Sequence, residues 1–598
     1  MRKRVLFTAV TILLVLGLFI AKLAQIQLVQ TKDYSKHGIN LLENSVQQRI
    51  DEISLDDGRG GFLDNRGNPI SYQEKAVLVL FPFVRNLRWP KEKLSAITGI
   101  EKQVIDEKLQ EAEEPFILED QEILELDDSQ IKAVNDLRIP GIIAVKKRFA
   151  GVPSVANHLL GTLTLDKGEI DSAHANGSTF SSVDYRTRVG RTGLEKAFQL
   201  FLKGNGTKRL LYHKAANGLP LFGVDIRYLD TSGSGERVNI QTTIDTAIQK
   251  LAEETVKSHR MKKGGIVIID IQTSDILAMV SKPVLNEKDL NDEGNINQML
   301  LPQTPGSIFK TVIAAAAIEE GLELEGRTFN GNLDHLDREV NGETGRRLGT
   351  VTFEKGFALS SNQVFGVLGK ELAGENPDLI ESYARKLGLL GLNGWSGSVF
   401  HTPVLNQLPE ERKGSVWKDD SMKEDPNYVA NTSIGQLDAK ITPLAAANMM
   451  ATIARGGERM QVRAASRAVD DNGLTLAKFT PQAADEQEIS SVTASKLQQL
   501  LRGVVIAEGP NTTAGKLKSA KYEVAGKSGT AEVGDKNSHK YNKWFVGYFP
   551  FQQPRYAMAV VDLETGEQSG SISSIYLELV NGIHDLHTKG MKNSQKIE

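Results

Sequence analysis

Three short strings in this chain place hydroxyls beside amines. Ser307 and Lys310 stand three apart in TPGSIFKTVIAAAAIEEG, Ser360, Ser361 and Asn362 follow in FALSSNQVFG, and Lys527, Ser528, Gly529 and Thr530 lie in VAGKSGTAEV. A serine hydroxyl is a weak nucleophile until a base takes its proton. A lysine can be that base only when burial or a second cation has pulled its pKa down from about 10.4. Lys527 offers the second cation, Ser360 a hydroxyl able to relay a proton between two amines, and Asn362 an amide able to orient a peptide.

Taken alone, each string is weak. Composition predicts roughly two S-x-x-K matches in a chain of this size, and Ser415 with Lys418 in GSVWKDD is a decoy match, in a polar loop with no helix expected after it. Ser360 to Asn362 reads as a polar turn or helix start, and GKSGTAE as a strand with a glycine bulge. Ser307 has better surroundings, because Pro305 suits the start of an alanine-rich helix and Gly321 its end. On that helix the hydroxyl and the amine three residues on share one face, and the positive potential of a helix N-terminus eases proton loss from Ser307 to Lys310.

The elements that must position these groups belong to a long chain. Its 598 residues, 40% hydrophobic and 24% charged, are ordinary folded material divided among several domains. With 71 Lys and Arg against 75 Asp and Glu there is no basic field for nucleic acid. The absence of cysteine removes disulfides and thiolate metal sites, and the ten histidines show no ligand spacing, so no metal is expected.

Arg2, Lys3 and Arg4 precede an uncharged apolar run from Val5 to Ala21, with Lys22 able to snorkel beyond it. This is expected to be an uncleaved single span, since no A-x-A site follows. The basic cluster places the N-terminus in the cytoplasm and the bulk of the chain outside the cell membrane. Ala24 to Ile53 reads as a helix-prone stalk, and an extended piece is expected at Phe62 and Leu63. The carboxylates from Glu111 to Asp128 read as a solvated face, and GRTGLEKAFQLFLKG as a glycine-bounded helix packing through Leu194, Phe198 and Phe201. RVNIQTTIDTAIQKLAEETV reads as a strand running into a helix, and GGIVIIDIQTSDILAMVSKP as a buried hairpin turning at Gln272 to Ser274. A boundary is expected near Glu236, and the last dozen residues are polar.

S-x-x-K, S-x-N and K-[ST]-G in this order resemble the penicillin-recognising acyl transferases. NTSIGQLDAKITPLAAANMM is similar to their Ser-Ile-Gly-Gln helix region, KWFVGYFP to the strand after the third motif, and GIVIIDIQTSDILAMVSKP to their first strand pair. RGGFLDNRG, Arg59 to Gly67, resembles the R-G-x-x-x-D-R-x-G signature of class B penicillin-binding proteins, with Asn65 and Arg66 departing from it. GRTGLEKAFQLFLKG resembles their G-x-x-G-L-E signature; KRFAGVPSVANHLLGTL matches at Arg148 but lacks the family's Tyr-Pro pair.

The resemblance, strongest to proteins of Gram-positive bacilli, implies an α+β multidomain chain: a cytoplasmic tail (1–4), a transmembrane anchor (5–24), an elongated mixed pedestal (25–236), a transpeptidase domain of serine β-lactamase-like fold with an antiparallel sheet flanked by helices (237–586), and a polar tail (587–598). It implies Ser307 as acylated nucleophile, Lys310 as base, Ser360 as relay toward Lys527, and Asn362 as a holder of the donor peptide. Lys527, Ser528 and Thr530 would take the terminal carboxylate, beside Gly529, and the N–H groups of Ser307 and Thr530 would form the oxyanion hole.

Implied partners are stem peptides ending in D-Ala-D-Ala, β-lactam antibiotics, the membrane, and a glycan polymerase within it. The implied reaction is cross-linking, which needs no cofactor; a D,D-carboxypeptidase or a silent scaffold stay open as alternatives. A β-lactamase is disfavoured by length and by the missing E-x-x-L-N string. A penicillin-sensing receptor is disfavoured by its lack of a cytoplasmic effector, and a bifunctional synthase by its lack of a glycosyltransferase signature.

Overall fold

The computed structural model describes residues 2–594 except 33, 35–39, 42–48, 121, 151–154, 166–187, 205, 216–220, 222–224, 232–236, 287–288, 290–291, 323, 342–345, 400–401, 485–487, 510, 535–538 and 567–570. The boundary expected near Glu236, much of the stalk and the end of the polar tail lie outside the described residues.

The helix Arg2–Ala24, continued by a π-helical turn at Gln25–Val29, is long and apolar enough to cross a membrane and buries none of its span against the rest of the protein. Its 23 residues rise about 34 Å, enough for a hydrocarbon layer of about 30 Å. The expected stalk does not run helical to Ile53. Ile50–Asp56 is a strand, paired antiparallel with Lys208–His213 so that Ile53 faces Leu210. In IDEISLD Ile53 and Leu55, two apart and so on one face of the strand, both pack into a core.

That core is the smaller of two. It is built on Tyr72–Leu80, paired along its length with Ile142–Ala150, and gathers Val77, Val79, Phe81, Leu94, Ile105 and Leu210. In the acidic stretch before Asp128, Leu118 and Leu126 turn inward, and Asp127 forms a capping box with Gln130 on the helix Asp128–Asp136.

The larger core surrounds a five-stranded antiparallel sheet in the order Ile276–Lys282, Gly264–Asp270, Tyr556–Gly566, Lys540–Phe549, Ala525–Val533. The hairpin forms as its apolar, β-branched runs predict, and Val238–Thr242 leads into the helix Thr246–Ser258. Adjacent strand residues point to opposite faces. On Lys540–Phe549, the Trp544 indole donates to Thr304 O at 3.1 Å, whereas the Phe545 ring lies 4.5 Å from Tyr576 on the helix Ile572–Ser594. The helices Pro443–Ala454 and Lys310–Glu319 are buried nearly all round, as an apolar helix inside a domain must be.

The larger core does not stop at residue 237. Phe62, Leu194, Phe198 and Leu202 belong to it, and the Phe198 ring lies 5.4 Å from Phe479. The segment expected as one glycine-bounded helix is two short ones, Gly193–Ala197 and Gln199–Leu202, broken at Phe198. Arg59 ties the two N-terminal signatures together by pairing with Glu195 and donating to Gln199 Oε1 at 2.9 Å. The strand Phe62–Leu63 runs parallel to Val238–Thr242, which joins it to the rest of the fold.

Candidate active site

Ser307 lies in a 3₁₀ turn, Gly306–Ile308, that leads into the helix Lys310–Glu319, and not in the first turn of that helix as Pro305 suggested. The cause is Gly306, whose φ of +56° an α-helix cannot use. A Cβ there would stand 2.3 Å from Thr530 O, so the missing side chain lets the turn that holds Ser307 press against the strand Ala525–Val533. Gly529 completes that contact: a Cβ on it would meet Pro305 O at 2.5 Å and Ile308 Cγ1 at 2.8 Å.

Lys310 is fully buried, and its Nζ donates to Ser360 O at 2.8 Å, Ser360 Oγ at 3.2 Å and Asn362 Oδ1 at 2.7 Å. Ser360 presents both of its oxygens to one amine because its backbone is left-handed, with φ +58°. Ser361 then caps the helix Asn362–Glu375, accepting from Val364 N. From the other side, the equally buried Lys527 donates to the same Ser360 Oγ at 2.9 Å and to Ser528 O at 3.0 Å. One hydroxyl therefore lies between two amines, each near an aromatic ring: Phe365 is 5.7 Å from Lys310 Nζ and Phe357 is 5.9 Å from Lys527 Nζ.

Such a pair cannot hold two full charges. Burial, then the charges of Lys527 and Arg346, pull Lys310 well below the ordinary lysine value; burial, then Arg346, pulls Lys527 down to about 7. In its neutral form Lys310 keeps two N–H groups, so one of its three contacts is no longer a donation and a lone pair becomes available for a proton.

Ser360, which both lysines reach, lines a cleft of about 300 Å³ together with Ser307, Asn362, Ser528, Gly529 and Thr530. The nine residues named from the three motifs are thus drawn together: seven line the cleft and the two lysines bond Ser360. The Ala525–Val533 strand is at the edge of the sheet, so one row of its backbone groups is free of strand partners. The decoy serine is elsewhere: Ser415 donates to Asp438 O at 2.9 Å and bridges to Lys440. Its loop is followed by a 3₁₀ turn, Asp420–Glu424, and the helix Pro426–Ser433, contrary to expectation.

Sequence reading missed several cleft residues: Asp334, Arg346, Gln436 and Thr513. Gln436 lies within the SIGQ string, which was a usable signal. The others are single residues on loops, without spacing to mark them. Asp334 is a carboxylate on the cleft that the motifs do not mark. Its oxygens accept from the N–H groups of Leu336 and Arg338 and from the Arg338 side chain. Burial opposes ionisation there, but those hydrogen bonds win and hold Asp334 below the usual carboxylate range.

A serine in the turn before a buried helix, a lysine at the start of that helix whose pKa is pulled down, and a second lysine, on an antiparallel sheet, reached through the Ser360 hydroxyl are the parts a serine acyltransferase needs. Residues 264–577 match the penicillin binding protein transpeptidase domain. The chain is 28% identical to the peptidoglycan D,D-transpeptidase PbpA of Mycobacterium tuberculosis, across 63% of this chain and 75% of that protein. It is 22% identical to the peptidoglycan D,D-transpeptidase MrdA of Escherichia coli, across 97% and 94%. Its fold is similar to that of a chain solved in a peptidoglycan synthase complex, with a TM-score of 0.64 and 20% identity over 97% of this chain and 98% of that one. The protein belongs to the class B penicillin-binding proteins.

Proposed function

We propose that this chain is a membrane-anchored serine D,D-transpeptidase that joins neighbouring stem peptides of peptidoglycan, and that Ser307 carries the acyl group. The observation that carries the reading is the Ser360 hydroxyl held between two buried amines, one of which belongs to the lysine a turn beyond Ser307.

The donor peptide adds to the free edge of Ala525–Val533 as an extra strand, its terminal carboxylate against Lys527, Ser528 and Thr530 and its backbone held by the Asn362 amide. Neutral Lys310 takes the Ser307 proton as Oγ attacks the carbonyl between the two D-alanines. The N–H groups of Ser307 and Thr530 hold the developing oxyanion; a Cβ on Gly306 would lie 3.0 Å from Thr530 N, so that amide borders the nucleophile's turn. The proton then passes by way of Ser360 to the departing D-alanine nitrogen, leaving an ester on Ser307. An amine of a second stem peptide attacks the ester, its proton returns to Ser307 Oγ through Lys310, and the cross-link leaves. A β-lactam offers the same carbonyl and carboxylate but keeps its amine tethered, which supports acylation without turnover.

In this reading Arg2, Lys3 and Arg4 stay cytoplasmic and everything beyond about Lys22 is outside, in a single N-in span. A glycan polymerase in the same membrane would supply the strands to be joined. The experiment is covalent labelling with fluorescent penicillin. Ser307→Ala abolishes labelling and Ser415→Ala leaves it intact; labelled Ser415 in a digest, or an unlabelled wild-type protein, refutes the assignment.

A further inference from the structure

The steps above leave one cation of the cleft unused. Arg346 donates through Nη2 to Leu359 O at 2.9 Å and through Nη1 to Asn511 O at 2.6 Å, so it ties the residue before Ser360 to a second loop. Ser360 sits there at φ +58°, a conformation that persists only where the surroundings hold it. Among the described residues Arg346 makes no ion pair: Asp334, on the same cleft, is held by Arg338 at 2.7 Å, and His335 beside it is kept below its usual pKa chiefly by burial. From Nη2 the path runs to Leu359 O, across about 5 Å to Ser360 Oγ and on to either lysine, so the guanidinium lies no farther than about 11 Å from both amines.

We propose that Arg346 is a positioning residue for the relay: its two carbonyl bonds hold the turn that sets Ser360 between the lysines, and its unpaired charge leaves that pair with one resting proton and not two. This rests on the transpeptidase reading and adds to it the group that directs the proton. With the donor carboxylate against Lys527, the resting proton stays on Lys527 and Lys310 waits neutral. As Ser307 Oγ attacks, its proton moves to Lys310 and the pair holds two. Repulsion from Arg346 then favours passing one through Ser360 Oγ to the D-alanine nitrogen as the C–N bond breaks. Lys310 ends neutral, Ser307 carries the ester and the nitrogen has gained the proton that Oγ lost. The tendencies of the two lysines agree with this, since burial and then nearby cations pull both down and Arg346 acts on each. Burial opposes the charge of Arg346 as well, but a guanidinium keeps its proton where an ammonium gives one up.

The test is the rate constant for acylation by penicillin in the full-length protein in detergent, resolved from binding by saturation and followed from about pH 5 to about pH 10. It compares wild type with Arg346→Gln, Arg346→Met and Arg346→Lys. At an effective dielectric constant of about 20, a charge about 11 Å away is worth about one pH unit. The acid limb of the two neutral variants therefore moves up by about one unit, and the rate on the limb falls about tenfold. Arg346→Lys keeps the charge, so its limb stays with that of wild type. The plateau at high pH falls in all three, because none of them has the fork that reaches both carbonyls. Glutamine can still donate to one carbonyl and methionine to neither, and a neutral variant that melts cooperatively is enough to read the limb. A limb that stays in the neutral variants, or that moves as far in Arg346→Lys as the loss of a mere latch would give, overturns the proposal, as does a plateau untouched in all three. A wild-type chain that penicillin does not acylate overturns the transpeptidase reading itself, and the inference with it.

Discussion

Replacing Lys527 with methionine keeps the length of the side chain and removes its charge, and the effect on Lys310 can be worked out from the geometry. Both Nζ atoms bond Ser360 Oγ, at 2.9 and 3.2 Å, so they are no more than about 6 Å apart. At an effective dielectric constant of about 20, two charges at that distance repel by about 3 kcal/mol, which is roughly two pH units. In the proposed mechanism Lys310 must be neutral to take the Ser307 proton, so the acid limb of the acylation profile reports its deprotonation. Without Lys527 the charged form of Lys310 is easier to keep. The limb should move up by about two units, and acylation measured on the limb should fall roughly 100-fold, then recover at higher pH.

The assay is the rate constant for acylation by penicillin, resolved from binding by saturation, from about pH 5 to about pH 10. Loss of carboxylate binding by Lys527 would lower the profile at every pH without moving its limb, so the limb position is diagnostic. A limb that stays, or moves to lower pH, refutes the repulsion argument. The same variant tests the sign of the stability linkage. The folded pKa of Lys527, about 7, is below its unfolded value near 10.4, so the unfolded chain binds more protons between the two and native stability falls as pH drops through that window. At neutral pH Lys527→Met should therefore melt higher than wild type, and the gap should close toward pH 10.

The Asp334 environment predicts a long-lived penicilloyl ester on Ser307, lasting on the order of 10³ s, a barrier of roughly 22 kcal/mol, because Asp334, the one carboxylate lining the cleft among the described residues, is held as a weak base. Intact-protein mass after removal of free penicillin measures it, Asp334→Asn should not lengthen it, and turnover near once per second would point to a hydrolase. Gly529→Ala should cost about 1–3 kcal/mol and slow acylation, since its methyl group meets Pro305 O and pushes the strand off the nucleophile's turn; a variant with wild-type melting and rate contradicts this. Arg59→Ala leaves Glu195 buried without its cation and should destabilise the fold by about 3–5 kcal/mol in denaturant melts, whereas a change under about 1 kcal/mol would make the pair dispensable.

The parts of the site legible in sequence are those whose chemistry needs neighbouring residues. Ser307 and Lys310 must share one turn, and Lys527 to Thr530 must share one strand, so spacing marks them. Arg346, Asp334 and Thr513 reach the cleft from loops separated along the chain, and Arg346 beside Arg347 looks like any exposed basic pair. The hairpin at Gly264–Lys282 was readable because its strands are continuous apolar runs. Ile50–Asp56 was not, because three of its seven residues are acids and its pairing partner lies some 160 positions away. The two N-terminal signatures were legible as motifs but not as structure: nothing local announces that Phe62 and Phe198 complete a core built mostly from residues beyond 237.

Ser360 carries both a chemical and a conformational demand, and the two can be separated. Its φ of +58° lets O and Oγ accept from Lys310 together, and a residue with a Cβ held there costs about 1–2 kcal/mol of backbone strain. Ser360→Ala and Ser360→Gly both delete the hydroxyl shared by the amines, so both should lose acylation by about 10²-fold or more, to similar levels. Only glycine relieves the strain, so Ser360→Gly should be more stable than Ser360→Ala by about 1 kcal/mol, less the entropy glycine adds to the unfolded chain. Denaturant melts and acylation rates on the two proteins decide the matter. Equal rates with a more stable glycine variant support strain held in place for the sake of the relay. A glycine variant that still acylates near the wild-type rate removes Ser360 from the proton path, and an alanine variant at least as stable removes the strain.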